Sequence, residues 1–283
     1  MQGSTSIEGK TAVITGATSG LGRSVARIWA GQGANVIATG RRDALGREVE
    51  KEARDQGREL TFIQADVSRS ADCDAVVRAA TERHGRVDIL VNNAGIEGPI
   101  TDAHAMSDEQ WDAVFDINMG GTFRMARAVL PLMKRQGGGC ILNISSINAD
   151  QSLAHMAAYN ASKAAIVQFS RTIAVEYLFD GIRSNAVILG GVRGGETGLR
   201  TQDGMARYVR GPEYERPAGD DNDPLAQFVL QDPDEVAVML AVLCSDAMRL
   251  MTGATIALDR AMTAGFTSST MIHMSTANLL QAG

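Results

Sequence analysis

The sequence is poor in several features that mark particular protein classes. Its 283 residues include only three cysteines, Cys73, Cys140 and Cys244, and none of them forms a CxxC pair. A disulfide scaffold and a thiolate zinc site are therefore excluded, and a reducing cytoplasm suits the chain. No run of about 18 apolar residues is present, and Met1 to Lys10 lacks the charged and then apolar order of a signal peptide. We expect a cytoplasmic protein without a membrane partner.

Positive charge is also scarce. The chain has 27 Lys and Arg residues against 33 Asp and Glu residues, which gives a formal net charge of -6. Because nucleic-acid binding relies on basic side chains that face phosphates, this balance argues against a nucleic-acid partner. The four histidines show no ligand spacing, so no metal site is predicted. What is present is 45% hydrophobic and 21% charged, a globular composition.

Short apolar segments alternate with amphipathic ones along the chain. Strands are expected at Thr11–Thr15, Asn35–Thr39, Leu60–Ala65, Asp88–Val91, Cys140–Ser145, Arg183–Ile188 and Thr255–Leu258. Helices are expected at Gly20–Gln32, Asp43–Gln56, Ala71–His84, Asp108–Arg135, Ala157–Phe179 and Pro233–Ser245. Apolar strands in a recurring βαβ order predict an α/β fold: one doubly wound, Rossmann-like parallel sheet with helices on both faces.

One segment breaks this alternation. We expect residues 1–283 to form a single domain, yet Gly190–Asp232 is rich in Gly, Arg and acids and, with Pro233 at its edge, holds four of the six prolines. A linker is one interpretation. A mobile substrate lid at about 190–232 is favoured, because long insertions in compact α/β domains are usually functional.

A glycine-rich turn joins the first strand to the first helix. It reads Thr15-Gly16-Ala17-Thr18-Ser19-Gly20-Leu21-Gly22. Glycines permit a tight turn and let backbone N–H groups approach a phosphate at the positive end of a helix. The candidate dinucleotide contacts in this turn are Gly16, Ser19, Gly20, Leu21 and Gly22.

A second pattern places a phenol beside an ammonium group. Tyr159 and Lys163 are four residues apart, so they lie on one face of a helix. A nearby cation favours the phenolate, so we expect Lys163 to lower the pKa of Tyr159 and allow proton exchange near neutral pH. Ser145 and Ser146 lie upstream, at the end of a buried strand.

Together, the TGxxxGxG turn and the YxxxK pair resemble the short-chain dehydrogenase/reductase family, over about residues 8–260. The resemblance implies a catalytic tetrad of Asn118, Ser146, Tyr159 and Lys163, with Ser146 preferred over Ser145 for its spacing to Tyr159. In this tetrad Tyr159 transfers a proton, and Lys163 tunes Tyr159 and holds the nicotinamide ribose. Ser146 fixes the substrate oxygen, and Asn118 supports a proton relay. Further cofactor contacts are implied at Asp66, Val67, Asn93, Ala94, Gly95 and Val192.

The choice of cofactor depends on the end of the second strand, where NAD-binding folds carry an acid that binds the ribose 2′-hydroxyl. Here Gly40 takes that place, and Arg41 and Arg42 follow. A guanidinium group matches the oxygens of a 2′-phosphate. We therefore expect NADP(H) in preference to NAD(H), with Arg41 as the phosphate ligand. NAD(H) stays possible, because the alternative interpretation of the two arginines is a solvated turn pair.

Two stretches depart from the family pattern. After the sixth strand, Leu189 replaces a Pro and Gly194 stands where a Thr is usual. After the last strand, Asp259-Arg260-Ala261 replaces Asp-Gly-Gly. The predicted function is still an oxidoreductase that interconverts a small-molecule carbonyl and a secondary alcohol, as a homo-oligomer, either a dimer or a tetramer. The alternatives are a nucleotide-sensing binding protein without turnover and a non-redox, dehalogenase-like enzyme.

Overall fold

A computed structural model describes residues 4–193 and 230–266. Its strands are β1 (Thr11–Thr15), β2 (Asn35–Gly40), β3 (Leu60–Gln64), β4 (Ile89–Asn92), β5 (Gly139–Ser146), β6 (Ile182–Leu189) and β7 (Thr255–Leu258). Its α-helices are α1 (Gly20–Gly31), α2 (Asp43–Asp55), α3 (Ser70–His84), α4 (Asp108–Phe115), α5 (Gly121–Arg135), α6 (Ala157–Glu176) and α7 (Pro233–Cys244). The strands form one sheet in the order β3-β2-β1-β4-β5-β6-β7, and all neighbours are parallel. The expected doubly wound α/β fold is confirmed.

Helices cover both faces of this sheet because its strands are apolar on both sides. Successive residues of a strand point to opposite faces. Ile14 of β1 packs in one hydrophobic cluster with Trp29 of α1 and Leu240 of α7. Its neighbour Val13 packs in a second cluster with Met125 of α5. Two cores thus sandwich the sheet, and the loops at the strand ends are left to carry function.

The element bounds agree with the sequence expectation to within one residue, except in two helices. The helix expected over 108–135 is interrupted at Asp116–Gly120 by a π-helical turn. Such turns insert an extra residue into a helix and often occur at functional sites. The helix expected to reach Phe179 ends at Glu176, since the chain turns through Leu178–Asp180 and Gly181, at φ 72°, to enter β6.

Only the two ends of the expected lid belong to the described residues, and 194–229 lie outside them. The ends pair with each other. The Gln231 N–H donates to the Gly191 carbonyl at 2.8 Å, and the Arg193 N–H donates to the Gln231 carbonyl at 2.9 Å. Across the described parts of the chain, none of the helices combines the length and apolar character needed to span a membrane.

The strand order places a crevice in the middle of the sheet. From β1 the chain first builds outward through β2 and β3, then returns to build β4 to β7 on the other side. Ligands of open α/β sheets bind at this switch point, beyond the carboxyl ends of the strands. A ligand site is therefore expected beyond the ends of β1, β4, β5 and β6.

Candidate active site

The turn after β1 needs its glycines for close packing. Gly16 has φ +67°, and a Cβ there would lie 2.9 Å from Asn93 Nδ2. A Cβ on Gly22 would lie 2.3 Å from the Gly16 carbonyl oxygen. Any larger residue at Gly22 would force the turn away from the helix. The turn is therefore a tight backbone cradle at the crevice.

The amino end of α1 faces this cradle without a side-chain cap. Its N-cap residue, Ser19, makes no capping hydrogen bond, and the first turn, all of it described, has no acidic residue. Helix amino ends carry unpaired N–H groups and a partial positive charge. This end therefore fits the pyrophosphate of a dinucleotide, and the backbone N–H groups of the segment from Gly16 to Gly22 are the donors that could bind it.

The expected contacts at the end of β4 are tied to β1. The Thr15 hydroxyl oxygen accepts from the N–H groups of Asn93 and Ala94, each at 2.9 Å. The Asn93 side-chain amide donates to the Thr15 carbonyl at 2.9 Å. Asn93 thus joins the two strands on either side of the switch point, and this bonding holds Ala94 and Gly95 at the crevice.

The two arginines after β2 take different positions. Arg42 donates to the Thr18 hydroxyl from Nε at 3.2 Å and from Nη2 at 3.1 Å, and it also reaches the Ser19 hydroxyl. The Arg41 side chain is exposed. Arg41 as the phosphate ligand stays a prediction, and the structure brings the neighbouring Arg42 onto the glycine-rich turn. Consecutive arginines gave no signal to tell them apart.

Gly40 occupies a place where a side chain has little room. A Cβ there would lie 2.9 Å from the Thr18 methyl carbon. An acid at position 40 would have to displace Thr18, which is itself held by Arg42. The packing of Thr18 therefore leaves no room for a carboxylate side chain at position 40.

Asp66 and Val67 follow β3 at the same edge. Burial favours the neutral form of Asp66, but hydrogen bonds from Ser68 and the charges of Arg41 and Arg69 outweigh it, so the pKa of Asp66 is lowered. Val67 is buried and packs against Gly121 at the start of α5. Asp66 is thus an anionic acceptor beside Arg41.

Three of the four expected catalytic side chains meet at the ends of β5 and α6. The Ser146 hydroxyl favours the anion of the Tyr159 phenol and so acts to lower its pKa. The same hydroxyl donates to Asn148 Oδ1 at 3.4 Å and accepts from the Asn148 N–H at 3.2 Å. Lys163 Nζ lies 5.5 Å from the centre of the Tyr159 ring and donates to the Ile144 carbonyl at 3.0 Å. The helix spacing of Tyr159 and Lys163 thus produces the juxtaposition that was expected from it.

Burial sets the protonation of this pair. It raises the pKa of Tyr159 to about 12, against the opposing effect of the Ser146 hydrogen bond. It lowers the pKa of Lys163 to about 8. The direction for Tyr159 is opposite to the one expected from its spacing to Lys163, because desolvation dominates and Lys163 directs a hydrogen bond to a carbonyl oxygen. At neutral pH Tyr159 is therefore a protonated phenol, the form that donates a proton.

Ser145, the alternative to Ser146, faces away from this pair. Its hydroxyl is buried and donates to the Lys163 carbonyl oxygen at 2.8 Å. That bond anchors α6 to β5. Ser146 is the one of the two serines whose hydroxyl meets the phenol.

Asn118 is fully buried in the π-helical turn, and its side chain binds the Ile96 backbone and the Ser162 hydroxyl. Its Oδ1 accepts from the Ile96 N–H at 2.8 Å, and its Nδ2 donates to the Ile96 carbonyl at 2.8 Å and to the Ser162 hydroxyl at 3.0 Å. Asn118 thus clamps the segment after β4 to α6, next to Lys163. The relay role implied by the resemblance stays a prediction.

Glu97 is a charged group near the site that sequence reasoning missed. Burial has the larger effect on both groups, raising the pKa of Tyr159 and lowering that of Lys163. The Glu97 carboxylate raises the pKa of both. Glu97 follows Ile96, the residue that Asn118 binds. It precedes Gly98, which turns the chain at φ +77°. Its position two residues after Gly95 was the available signal.

The remaining expected contact, Val192, lies beyond β6. It forms an isolated parallel bridge with Gln231 and packs against the core. Gln231 in turn donates to the Leu258 carbonyl at 2.7 Å. Gly190 packs against Asp259 and Met262, so the segment after β7 supports this side of the crevice.

Known proteins resemble this chain in sequence and in fold. The family model described as short chain dehydrogenase matches residues 10–203. The chain is 35% identical to D-beta-hydroxybutyrate dehydrogenase of Cupriavidus necator over 88% of this chain and 95% of that protein. It is 36% identical to 3beta-hydroxysteroid dehydrogenase 1 of Eggerthella lenta, over 91% and 95%. A crystal structure of an actinorhodin polyketide ketoreductase variant with NADPH superposes with a TM-score of 0.80 and 31% identity, over 90% and 97%.

Proposed function

Because the chain belongs to the short-chain dehydrogenase/reductase family, we propose that it interconverts a small-molecule carbonyl and a secondary alcohol, with NADP(H) preferred. The observation that carries this proposal is the meeting of Ser146, Tyr159 and Lys163 at the crevice. The two relatives differ in the molecules that they are named for, hydroxybutyrate and hydroxysteroid. The proposal therefore specifies the bond that reacts and leaves the rest of the substrate to experiment.

The chain's own residues supply orientation and a proton. The nicotinamide, when bound, supplies or accepts the hydride. In the reduction, Ser146 donates a hydrogen bond to the carbonyl oxygen as negative charge develops there. Tyr159, protonated at neutral pH, donates its proton to the same oxygen. Lys163 is the nearby cation that compensates the charge left on the phenol.

The positions of the reacting groups and of the cofactor site depend on two asparagines, Asn93 and Asn118, and on the glycine-rich turn. Asn118 fixes the segment after β4 against α6, and Asn93 fixes it against β1. We propose that Gly16, Ser19, Gly20, Leu21 and Gly22 hold the pyrophosphate, and that Asp66 and Val67 hold the adenosine. Ala94, Gly95 and Val192, with Tyr159 and Lys163, would then hold the nicotinamide half.

The preference for NADP(H) is supported by Gly40 and the arginines that follow it. Thr18 fills the space beside Gly40, and Arg42 places a guanidinium over the turn. We propose that Arg41 and Arg42 flank a 2′-phosphate. NAD(H) binds more weakly in this arrangement because it has no group to pair with them.

The test compares dissociation constants of NADPH and NADH at one ionic strength, because salt screens these contacts. Arg41→Asp is expected to weaken NADPH tenfold or more and to leave NADH little changed, since a charge-assisted contact contributes about 1.5–3 kcal/mol. Arg42→Gln is expected to act in the same direction. Arg47→Gln removes an exposed guanidinium of α2 and is the control. Equal binding of both cofactors by the wild type, unaltered in the two variants, overturns the NADP(H) preference.

The proposed activity is tested with a panel of ketones and secondary alcohols and the preferred cofactor. Cofactor oxidation with at least one ketone supports an active oxidoreductase. Cofactor binding without turnover of any member would instead favour the nucleotide-sensing alternative. A homo-oligomer, dimer or tetramer, and a cytoplasmic location are proposed on the family resemblance and the cysteine content.

A further inference from the structure

Two thiols lie together at the edge of the sheet opposite the active site. Cys140 is at the amino end of β5, and Cys244 is the last residue of α7. Each is 3% exposed, and both belong to the same hydrophobic cluster. Both also line one cavity of about 320 Å³, whose other lining residues include the exposed Arg249. The two cysteines therefore border the same cavity.

Cations flank this thiol pair. Arg183, the neighbour of Cys140 across the β5–β6 pairing, donates to the carbonyl oxygens of Leu243 and Cys244, each at 3.2 Å. Its guanidinium is thus fixed at the end of α7 by backbone oxygens. Lys10 lines the same cavity and pairs with Asp246 at 2.8 Å. Neighbouring cations stabilise a thiolate, the reactive form of cysteine.

The two sulfurs are not equivalent. A hydrogen bond from Cys244 and the charges of Arg183 and Lys10 lower the pKa of Cys140, although burial opposes them. Burial and the neighbouring Cys140 raise the pKa of Cys244 well above its usual value. Cys140 is therefore the better nucleophile, and Cys244 stays a thiol beside it. This is the asymmetry of an attacking and a resolving cysteine.

We propose that Cys140 and Cys244 form a redox-active dithiol, which hydrogen peroxide converts into an intramolecular disulfide. The Cys140 thiolate attacks one peroxide oxygen, an S–O bond forms, the O–O bond breaks, and the leaving oxygen takes up a proton as water. The Cys244 sulfur then attacks the Cys140 sulfur, an S–S bond forms, and the second oxygen leaves as water. The two thiols lose two electrons and two protons, and the peroxide is reduced to two waters. The bond would join the start of β5 to the end of α7.

The test uses the full-length protein in its folded state. It is exposed to hydrogen peroxide, the peroxide is removed with catalase, and the chain is unfolded, alkylated and digested for mass spectrometry. The expected product is a Cys140–Cys244 linked peptide pair that dithiothreitol separates. Cys73 is the internal control and is expected to be recovered alkylated. It is buried in the other hydrophobic cluster, and burial raises its pKa to about 11.

Variants check the assignment. Cys73→Ser is expected to form the same link, and Cys140→Ser and Cys244→Ser are expected to form none. The proposal is overturned if the folded wild type keeps both thiols open to alkylation after peroxide. Sulfinic acid at Cys140 without a disulfide, or a link that includes Cys73, overturns it as well. The wild-type result stands even where a variant fails to fold.

Discussion

Burial decides the state of both titratable groups at the centre of the site. Lys163 is 5% exposed, and the phenol of Tyr159 is held against Ser146. Desolvation keeps the phenol protonated and makes the ammonium easier to deprotonate than an exposed lysine. The site therefore holds a protonated phenol, Tyr159, next to an ammonium group, Lys163, that loses its proton more easily than an exposed lysine. A single substitution tests the role of each residue.

Tyr159→Phe removes the transferable proton and little else. We expect kcat for ketone reduction to fall by at least 100-fold, because positioned acid–base groups contribute about 10²–10⁴. The dissociation constant of NADPH should stay within a few fold. Tyr177→Phe, at the other end of α6, is the control and should keep its kcat. A Tyr159→Phe enzyme within tenfold of the wild-type kcat would show that another group is the acid.

Lys163→Met should abolish activity and change how stability depends on pH. The pKa of Lys163 is about 8 in the folded protein, below its ordinary value of 10.5. Between these values the unfolded chain holds the proton that the folded chain has lost, so wild-type stability rises with pH across this window. Relative to the variant, the wild type should gain about 2 kcal/mol between pH 7 and pH 9.5.

The measurement is urea unfolding of the wild type and the variant at both pH values, so that other titrating groups cancel in the difference. Lys51→Met, which removes an exposed lysine of α2, controls for the lost charge. A difference between wild type and Lys163→Met that is the same at both pH values would contradict a depressed pKa.

Among the elements, the turn after β7 carries backbone strain. Arg260 has φ 50° and Ala261 has φ 64°, the left-handed region that favours glycine. The two residues replace the Gly-Gly of the family pattern, and the turn is still formed. Asp259 holds it by accepting from the Ala261 N–H at 3.1 Å and from the Thr263 N–H at 2.8 Å. Strain of this kind persists where the surrounding bonds impose it.

Replacing either residue by glycine should relieve this strain. We expect Arg260→Gly and Ala261→Gly each to raise the free energy of unfolding by about 0.5–1 kcal/mol, since the left-handed penalty exceeds the entropy cost of glycine. Ala264→Gly, in the adjacent π-helical turn, is the matched control and should lower it by about 0.5–1 kcal/mol. Urea unfolding at pH 7 measures all three. Destabilisation by both of the first two variants would place the turn in another conformation.

For the whole molecule, the sequence predicted the sheet and the closeness of Lys163 to Tyr159. Apolar strands buried on both faces specify a parallel sheet, and a four-residue helix spacing brings Lys163 next to Tyr159. It could not predict the pKa of Tyr159, because desolvation depends on neighbours distant in the chain. It also missed the π-helical turn that holds Asn118, since the stretch 108–135 has ordinary helical periodicity. The contact of Arg42 with Thr18 needed the turn and β2 to be placed together.

The proposed homo-oligomer can be tested at an exposed aromatic ring. Phe123 of α5 is 43% exposed and packs edge-on against Phe169 of α6. If a second copy covers this face, Phe123→Glu should shift the mass in solution toward the monomer, because it places a charge in an apolar contact. Light scattering after gel filtration measures this, with Lys51→Glu, at an exposed side chain of α2, as the control. An unchanged mass for Phe123→Glu would exclude this face as the interface.

The uncapped amino end of α1 has a consequence for the lifetime of the protein in a cell. A bound phosphate would complete the first turn of that helix, which exists only in the folded protein. The free energy of ligand binding therefore adds to the free energy of unfolding. A ligand at 100 times its dissociation constant stabilises the folded state by about 2.7 kcal/mol. Proteases act on transiently opened chains, so degradation should slow when dinucleotide is plentiful and quicken when it is scarce. The abundance of the enzyme would then follow the nucleotide pool without any change in its synthesis.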